Sequence, residues 1–248
     1  ECHSTNLRKG YDADADIYDT SWEAINVGCQ SCHGPGADHV AWAEAANAPR
    51  PAASLTGGDA GKGLRASFRN VDARTEVDAC GACHSRRQRL TDGASPGEPF
   101  LDNYRPELLR EGLYHADGQQ LDEVFVYGSM LQSRMHQRGV RCTDCHEAHS
   151  LKLRAAGNAV CVQCHNPKGN ARFPTLKQAG YDDAGHHFHP PGAGAQCISC
   201  HMPAKNYMVV HARPDHSFRV PRPDQSVTLG TPNACNQCHA DRSARWAA

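Results

Sequence analysis

The chain has 248 residues, which is enough for one large or two small domains. Lys and Arg total 26 against 27 Asp and Glu, so the basic excess that is typical of nucleic-acid-binding proteins is missing. No run approaches the roughly 18 apolar residues of a membrane span. Thirteen Cys and sixteen His are unusually many, whereas aromatic residues make up only 6% and the mean hydropathy is −0.64. So polar a chain predicts a thin side-chain core, and something else must fill the interior.

The first feature along the chain is Cys2, which His3 follows directly. This pair matches the second half of a Cys-x-x-Cys-His motif whose first Cys would precede Glu1. We therefore expect the sequence to be part of a longer polypeptide, which also explains why no signal peptide is visible. A surface thiol beside a chance His is the alternative.

Six complete Cys-x-x-Cys-His motifs follow, and together they contain every Cys pair in the chain. Their cysteines are Cys29 and Cys32, Cys80 and Cys83, Cys142 and Cys145, Cys161 and Cys164, Cys197 and Cys200, and Cys235 and Cys238. The histidines after them are His33, His84, His146, His165, His201 and His239. Two thiols on one turn can add to the two vinyl groups of a haem, and the next residue then supplies the proximal axial imidazole.

Zinc and disulfides explain this pattern less well. Zinc ribbons share one metal between two Cys pairs and do not need an adjacent His. A disulfide framework needs no His at all and leaves one cysteine over. The predicted cofactor is therefore haem c, with seven groups expected from six complete motifs and the half motif, in which His3 is the seventh proximal ligand.

The segments between the motifs give a coarse prediction of structure. Residues 43–63, rich in Ala, Gly and Pro, predict a surface loop, and residues 74–91 predict a helix around the second complete motif. Residues 121–138 are the best helix candidate, because they combine an apolar face with acidic residues in the first turn and Gly139 as a C-terminal cap. Residues 166–196 predict another loop. The expected fold is mostly α with extensive irregular loops, wrapped around a haem chain, with little or no sheet.

Nine histidines lie outside the motifs and are candidates for the sixth iron ligands. If all seven haems are bis-His, seven of the nine are distal ligands. We predict that the distal ligands are His39, His115, His136, His149, His187, His189 and His216. The cluster of His186, His187 and His189 is expected to give one or two ligands, with the last two favoured, and His211 is the expected bystander. Bis-His ligation lacks the potential-raising Met of mitochondrial-type cytochromes, which predicts mostly negative reduction potentials.

Two sets of segments carry a family resemblance. Cys-x-x-Cys-His-Gly-Pro-Gly from Cys29, with His39 beyond it, resembles octahaem and pentahaem cytochromes related to ammonia-forming nitrite reductase and hydroxylamine oxidoreductase. The chain more closely resembles multihaem cytochromes that often carry a C-terminal tetratricopeptide repeat domain. The segments that carry this resemblance are Val126-Tyr127-Gly128-Ser129, Gly139 to His146, His201-Met202-Pro203, Tyr207-Met208 and Asp215-His216-Ser217-Phe218. The resemblance implies one multihaem cytochrome domain over residues 1–248. It also implies a further haem motif upstream and a repeat domain downstream in the intact protein.

Two functions fit these features. The leading one is an electron conduit between other redox proteins or neighbouring cytochrome subunits, including a homo-oligomer or filament whose subunits meet haem to haem. The alternative is an oxidoreductase acting on a small nitrogen or sulfur oxyanion at one haem with an open distal position. Tyr207, His211 and Arg213 would then orient the substrate, although the Cys-x-x-Cys-Lys motif of the catalytic haem in pentahaem nitrite reductases does not occur here.

Compartment and partners follow from the same chemistry. Haem attachment to Cys-x-x-Cys-His takes place outside the cytoplasmic membrane, so a periplasmic or extracellular protein is expected. Neither a nucleic-acid partner nor a membrane span in this segment is expected.

Overall fold

A computed structural model describes residues 2–47 and 61–248. The chain divides into two compact units, Glu1–Pro106 and Glu107–Ala248, and the single domain over residues 1–248 stays a prediction. Short helices, turns and loops dominate, and the strands of the described residues form only two-stranded antiparallel ribbons. This confirms the predicted fold class. None of the helices in the described ranges has the length and apolar character needed to cross a lipid bilayer.

The first unit holds the half motif and two complete motifs. Its described helices are α1 Gln30–His33, α2 Ala37–Asn47, α3 Ala73–His84 and α4 Phe100–Asn103. Its hairpins pair β1 Tyr11–Asp12 with β2 Ile17–Tyr18, and β3 Arg87–Arg89 with β4 Tyr104–Pro106. The Thr5 hydroxyl donates to the Asn26 carbonyl at 2.6 Å and lies 2.9 Å from the Ser31 hydroxyl. These bonds hold the segment after His3 beside the first complete motif.

The second unit holds the other four motifs. Its helices are α5 Tyr127–Gln132, α6 Arg134–Gln137, α7 Cys142–Cys145, α8 Ala159–Val162, α9 Ala184–His187, α10 Cys197–His201, α11 Pro223–Leu229, α12 Cys235–Cys238 and α13 Ala244–Ala247, with a 3₁₀ turn at Ala193–Ala195. Its hairpins pair β5 His146–Glu147 with β6 Lys152–Leu153, and β7 Ala204–Tyr207 with β8 His211–Pro214. Leu113, Tyr114 and Val124 form a small buried apolar cluster.

Three of the predicted segments differ from the structure in their bounds or content. Helix α3 stops at His84 rather than continuing to residue 91, because Ser85 is extended and strand β3 follows. The loop predicted over residues 43–63 is helical as far as Asn47, and residues 48–60 lie outside the described residues. The loop predicted over residues 166–196 contains α9 and the 3₁₀ turn. Each difference is local, and the motif residues keep their turns.

The single helix predicted over residues 121–138 is wrong, since the structure has two short helices there. Phe125 lies in the left-handed region at φ 60°, and the helical backbone begins only after it. Ser133 then takes an extended conformation, and its hydroxyl accepts the His136 N–H at 3.0 Å as the N-cap of α6. The predicted cap is present, because Gly139 has φ 84° and the Val140 N–H reaches the Met135 carbonyl at 3.0 Å.

The polypeptide buries little of itself. Of the described residues, eleven apolar side chains are buried, and the buried set includes about as many polar residues. The thin side-chain core expected from the composition is therefore observed.

Candidate haem-binding sites

Every complete motif lies on a helical turn. In four of them the N–H of the motif His bonds to the carbonyl of the first Cys, as between His33 and Cys29 at 2.9 Å and between His239 and Cys235 at 2.9 Å. The other two motifs lie within the last turn of α3 and along α10. An i to i+4 bond places both thiols on one turn with the imidazole directly after them. The local geometry therefore matches what thioether attachment of one haem requires.

The thiols form no disulfides with one another in the described structure. Burial, and then the neighbouring Cys197 thiol, raise the pKa of Cys161 to about 12. Burial also raises the pKa of Cys145, and the neighbouring Asp144 and Cys164 raise it further. Burial raises the pKa of Cys200 as well, and the nearby Cys235 thiol is the next cause. Thiols of consecutive motifs in the second unit therefore lie close to one another.

Three motif histidines face a histidine from outside the motifs. The ring centroids of His146 and His216 are 6.3 Å apart. Those of His201 and His186 are 6.1 Å apart and those of His239 and His189 are 6.2 Å apart. The interplanar angles are 25°, 8° and 36° respectively. All three pairs lie in the second unit and have nearly the same spacing.

This spacing fits an iron between the two rings. A metal–imidazole bond is about 2 Å long and the ring centre lies about 1 Å beyond the nitrogen, so two imidazoles on opposite sides of one metal place their centroids about 6 Å apart. The residues present therefore fit a haem with two axial histidines at each of these three places.

Hydrogen bonds at Nδ1 support the same assignment. Nδ1 of His201 lies 2.8 Å from the Arg219 carbonyl, and Nδ1 of His216 lies 2.9 Å from that of Pro214. Nδ1 also faces a carbonyl in three further histidines: His33 with Ala66 at 2.9 Å, His39 with Lys62 at 2.7 Å, and His189 with His187. A nitrogen facing a carbonyl must carry the proton, which leaves the Nε2 lone pair for a metal.

His186 and His187 differ in this respect. Helix α9 is capped by Asp183, whose carboxylate accepts the His186 N–H at 3.2 Å, and the His186 ring lies opposite His201. The Nδ1 of His187 instead accepts the backbone N–H of His189 at 3.2 Å. A neutral His187 therefore carries its proton on Nε2, the nitrogen that would have to bind iron. Sequence reasoning passed over His186 in favour of His187.

The other predicted distal ligands have different surroundings. The His39 ring lies 5.7 Å from Trp42 in the first unit. His115 is half-buried, and burial lowers its pKa, with Asp117 opposing the shift. The Nε2 of His136 is buried, while His149 is exposed and its Nδ1 lies 3.3 Å from Glu147. Their roles as distal ligands stay predictions.

The histidines of two motifs are held in the neutral form that binds metal. Burial lowers the pKa of His146, and burial followed by the nearby His201 lowers the pKa of His165. Metal binding requires a neutral imidazole, so both shifts favour ligation at neutral pH.

The structure also places aromatic rings beside several of these histidines, and the sequence motifs gave no sign of these rings. Tyr181 lies beside His165 and His186, and Trp246 lies beside His239.

Two of the residues proposed to orient a substrate have polar groups engaged within the protein. Arg213 forms a 2.7 Å ion pair with Glu123, and its guanidinium lies over the rings of Phe125 and Tyr207. Tyr207 is 7% exposed, and its hydroxyl lies 3.4 Å from the Gln120 side chain. Burial, followed by the Asp215 carboxylate, raises the pKa of Tyr207 to about 12. This arrangement is that of a packed structural cluster.

Comparison with known proteins agrees with the geometry. Residues 136–170 match the family model for a doubled CXXCH motif. A crystal structure of the outer cell wall cytochrome OcwA is similar at 19% sequence identity with a TM-score of 0.68, covering 98% of this chain and 60% of that one. This chain thus spans about 60% of the length of that cytochrome. No curated protein matches.

The doubled motif and the cytochrome-like fold together support a multihaem c-type cytochrome. The finer resemblance to nitrite-reductase and hydroxylamine-oxidoreductase relatives, or to repeat-associated cytochromes, stays a prediction.

Proposed function

We propose that this protein transfers electrons through about seven covalently bound haems, most of them with two axial histidines. The single observation that carries the proposal is the 6.1–6.3 Å spacing of three motif histidines from three others. When bound, haem supplies reversible one-electron exchange at its iron. An imidazole on both sides of the iron favours this role, because little ligand rearrangement accompanies the change in charge.

The chain's own residues hold and orient the haems. Cysteine thiols would anchor each porphyrin to a helical turn, and the following His would bind the iron from one side. Backbone carbonyls at Nδ1 fix the plane and tautomer of the imidazoles, as the Arg219 carbonyl does for His201. We infer that His216, His186 and His189 complete the sites of His146, His201 and His239. His186 thus replaces His187 in the predicted ligand set.

The order of haems in the second unit follows the chain. Thiols of the third and fourth complete motifs are neighbours at Cys145 and Cys164. The fourth and fifth motifs are neighbours because the Cys161 thiol is hydrogen-bonded to the Cys197 thiol. The fifth and sixth motifs are neighbours because Cys200 lies near Cys235. Because each haem is tethered at its thiols, neighbouring thiols favour neighbouring porphyrin edges. We infer a relay of four haems in the order of their motifs.

The surroundings of this relay favour a conduit over the alternative enzyme. A reductase or oxidase of small oxyanions needs an open iron position and polar groups aimed at the substrate. Arg213 is paired with Glu123, and Tyr207 is buried against Arg213 and Gln120. An electron conduit needs no such groups.

Location and partners are proposed from the chemistry of attachment. A periplasmic or extracellular site is where haem attaches to exported chains, and the similar solved structure is described as an outer cell wall cytochrome. The partners would be other redox proteins or neighbouring cytochrome subunits, including further copies in an oligomer or filament.

The test is to add exogenous ligands to the purified, haem-loaded protein. We expect low-spin spectra for the great majority of the haems, full reduction by a low-potential donor, and no spectral change with carbon monoxide, cyanide or nitrite. A stoichiometric high-spin haem that binds nitrite and turns it over would establish the enzyme instead. Substrate-independent reoxidation by a second haem protein would support the conduit.

A further inference from the structure

Tyr181 lies between two histidines that belong to consecutive haem sites. Its ring centroid is 5.8 Å from that of the motif ligand His165, at an interplanar angle of 85°. It is 5.2 Å from that of His186, at 89°. The tyrosine therefore makes an edge-on contact with both imidazoles, an arrangement that aromatic rings prefer over face-to-face stacking.

A second contact shows that the two sites are adjacent. The thiol of Cys161, in the motif of His165, is hydrogen-bonded to the thiol of Cys197, in the motif of His201. His201 is the residue that His186 faces. The ring of Tyr181 thus contacts ligands of two haem sites whose thiol ends also touch.

The segment that carries Tyr181 is tied to both motif helices. Asn158, at the start of α8, donates to the carboxylate of Asp182, the residue after Tyr181, at 2.5 Å and accepts the Cys197 N–H at 2.9 Å. Asp183, two residues after the tyrosine, caps α9 through the His186 N–H. These bonds hold the segment of the half-buried Tyr181 beside both motif helices.

The orientation of the His186 ring indicates that a neighbouring group restrains its rotation. Its ring is within 8° of parallel to that of His201, whereas the two other pairs deviate by 25° and 36°. An imidazole bound only through Nε2 can rotate about the iron–nitrogen bond unless a neighbour restrains it. A ring packed edge-on at 89° restrains this rotation.

We propose that Tyr181 is a positioning residue that holds the axial imidazoles His165 and His186 of two consecutive haems, and so fixes the near-parallel planes of His186 and His201. This inference rests on the proposed function, because it assumes haem at both motifs. The tyrosine touches the ligands rather than the iron, and its effect is on the electronic structure of the haems it orients.

The test is electron paramagnetic resonance of the oxidised, haem-loaded protein, because the g-values of a bis-His haem depend on the angle between its imidazole planes. We expect Tyr181→Ala and Tyr181→Leu to shift the low-spin signals of the two haems bound by His165 and His186 and to leave the haem content unchanged. Tyr181→Phe keeps the ring edge and should keep the wild-type signals. Tyr18→Ala is a matched control, since that ring packs on Tyr11 in the β1–β2 hairpin.

Two results would overturn the inference. One is an unchanged set of g-values in both Tyr181→Ala and Tyr181→Leu with all haems bound. The other is the same shift in Tyr181→Phe as in Tyr181→Ala, which would assign the effect to the hydroxyl. A wild-type protein that lacks low-spin signals altogether would refute the proposed function itself, so the two failures are distinguishable.

Discussion

At the scale of single residues, the hydrogen bond at Nδ1 indicates which histidines present a free Nε2 lone pair. A ring that donates from Nδ1 to a carbonyl presents Nε2 to a metal, and His201, His216 and His189 do so. His187 shows the reverse arrangement, because its Nδ1 accepts a backbone N–H. His187 and His189, two residues apart, therefore differ in their suitability for iron.

His186→Ala should convert one low-spin haem to high spin, since the imidazole facing His201 is removed. The signal should amount to one haem of those bound, and that haem should gain the ability to bind carbon monoxide. Visible and electron paramagnetic resonance spectra, normalised to haem content, provide the measurement.

The neighbouring His187→Ala is the matched control and should leave every haem low-spin. If His187→Ala produced the high-spin signal and His186→Ala did not, the ligand assignment would be reversed.

The sequence was informative about these residues to different degrees. The motif cysteines and histidines could be predicted because the covalent chemistry fixes their spacing within five residues. The partner of a lone histidine depends instead on which segments the fold brings together. His216 is 70 residues from His146 along the chain, and only the tertiary structure places it opposite.

At the scale of elements, each motif depends on the stability of a short helical turn. Helix α3 carries Cys80, Cys83 and His84 in its last turn, and Asp72 caps its first turn by accepting the Thr75 N–H at 2.8 Å. This bond holds the pKa of Asp72 below its usual value of 3.8. A carboxylate at this position also interacts favourably with the helix dipole.

Asp72→Ala should lower the denaturant midpoint of the haem-loaded protein at pH 7, because the cap is lost. Since the pKa of Asp72 is depressed in the folded state, the stabilisation is present above about pH 3.8 and is lost as pH falls through the lower, folded value. The difference between wild type and Asp72→Ala should therefore shrink in strongly acid solution.

Asp72→Asn keeps the capping oxygen without a titrating group, and it should retain most of the midpoint at pH 7. Equal midpoints for wild type and Asp72→Ala at pH 7 would show that the cap does not stabilise α3.

Helix boundaries were harder to predict than helix positions. The apolar period over residues 121–138 correctly indicated helical backbone and a glycine cap, but not the break at Ser133. The Gln120 side chain bonds to the Phe125 carbonyl and to the Ser129 hydroxyl, and Phe125 turns into the left-handed region. Such side-chain to backbone bonds compete with a continuous helix and leave no periodic signal in the sequence.

At the scale of the whole molecule, the composition and the small core have one explanation. Few side chains of the described residues are buried, and polar residues are as numerous among them as apolar ones. Tethered porphyrins would supply the missing apolar interior while forming the electron relay. Stability and function would then depend on the same groups.

Potentiometric titration should give midpoints that are mostly below zero against the hydrogen electrode, because bis-His ligation lacks a potential-raising Met. His186→Met should move one haem upward in potential and leave the others nearly unchanged. A wild-type titration centred well above zero would contradict bis-His ligation of most haems.

Covalent haem at every complete motif can be tested by the intact mass of the purified protein under denaturing conditions. Thioether bonds survive unfolding, so the mass should equal the 26.9 kDa of the chain plus at least six haems, one for each complete motif. A mass equal to the bare polypeptide, from protein matured in a host that attaches haem c, would contradict it.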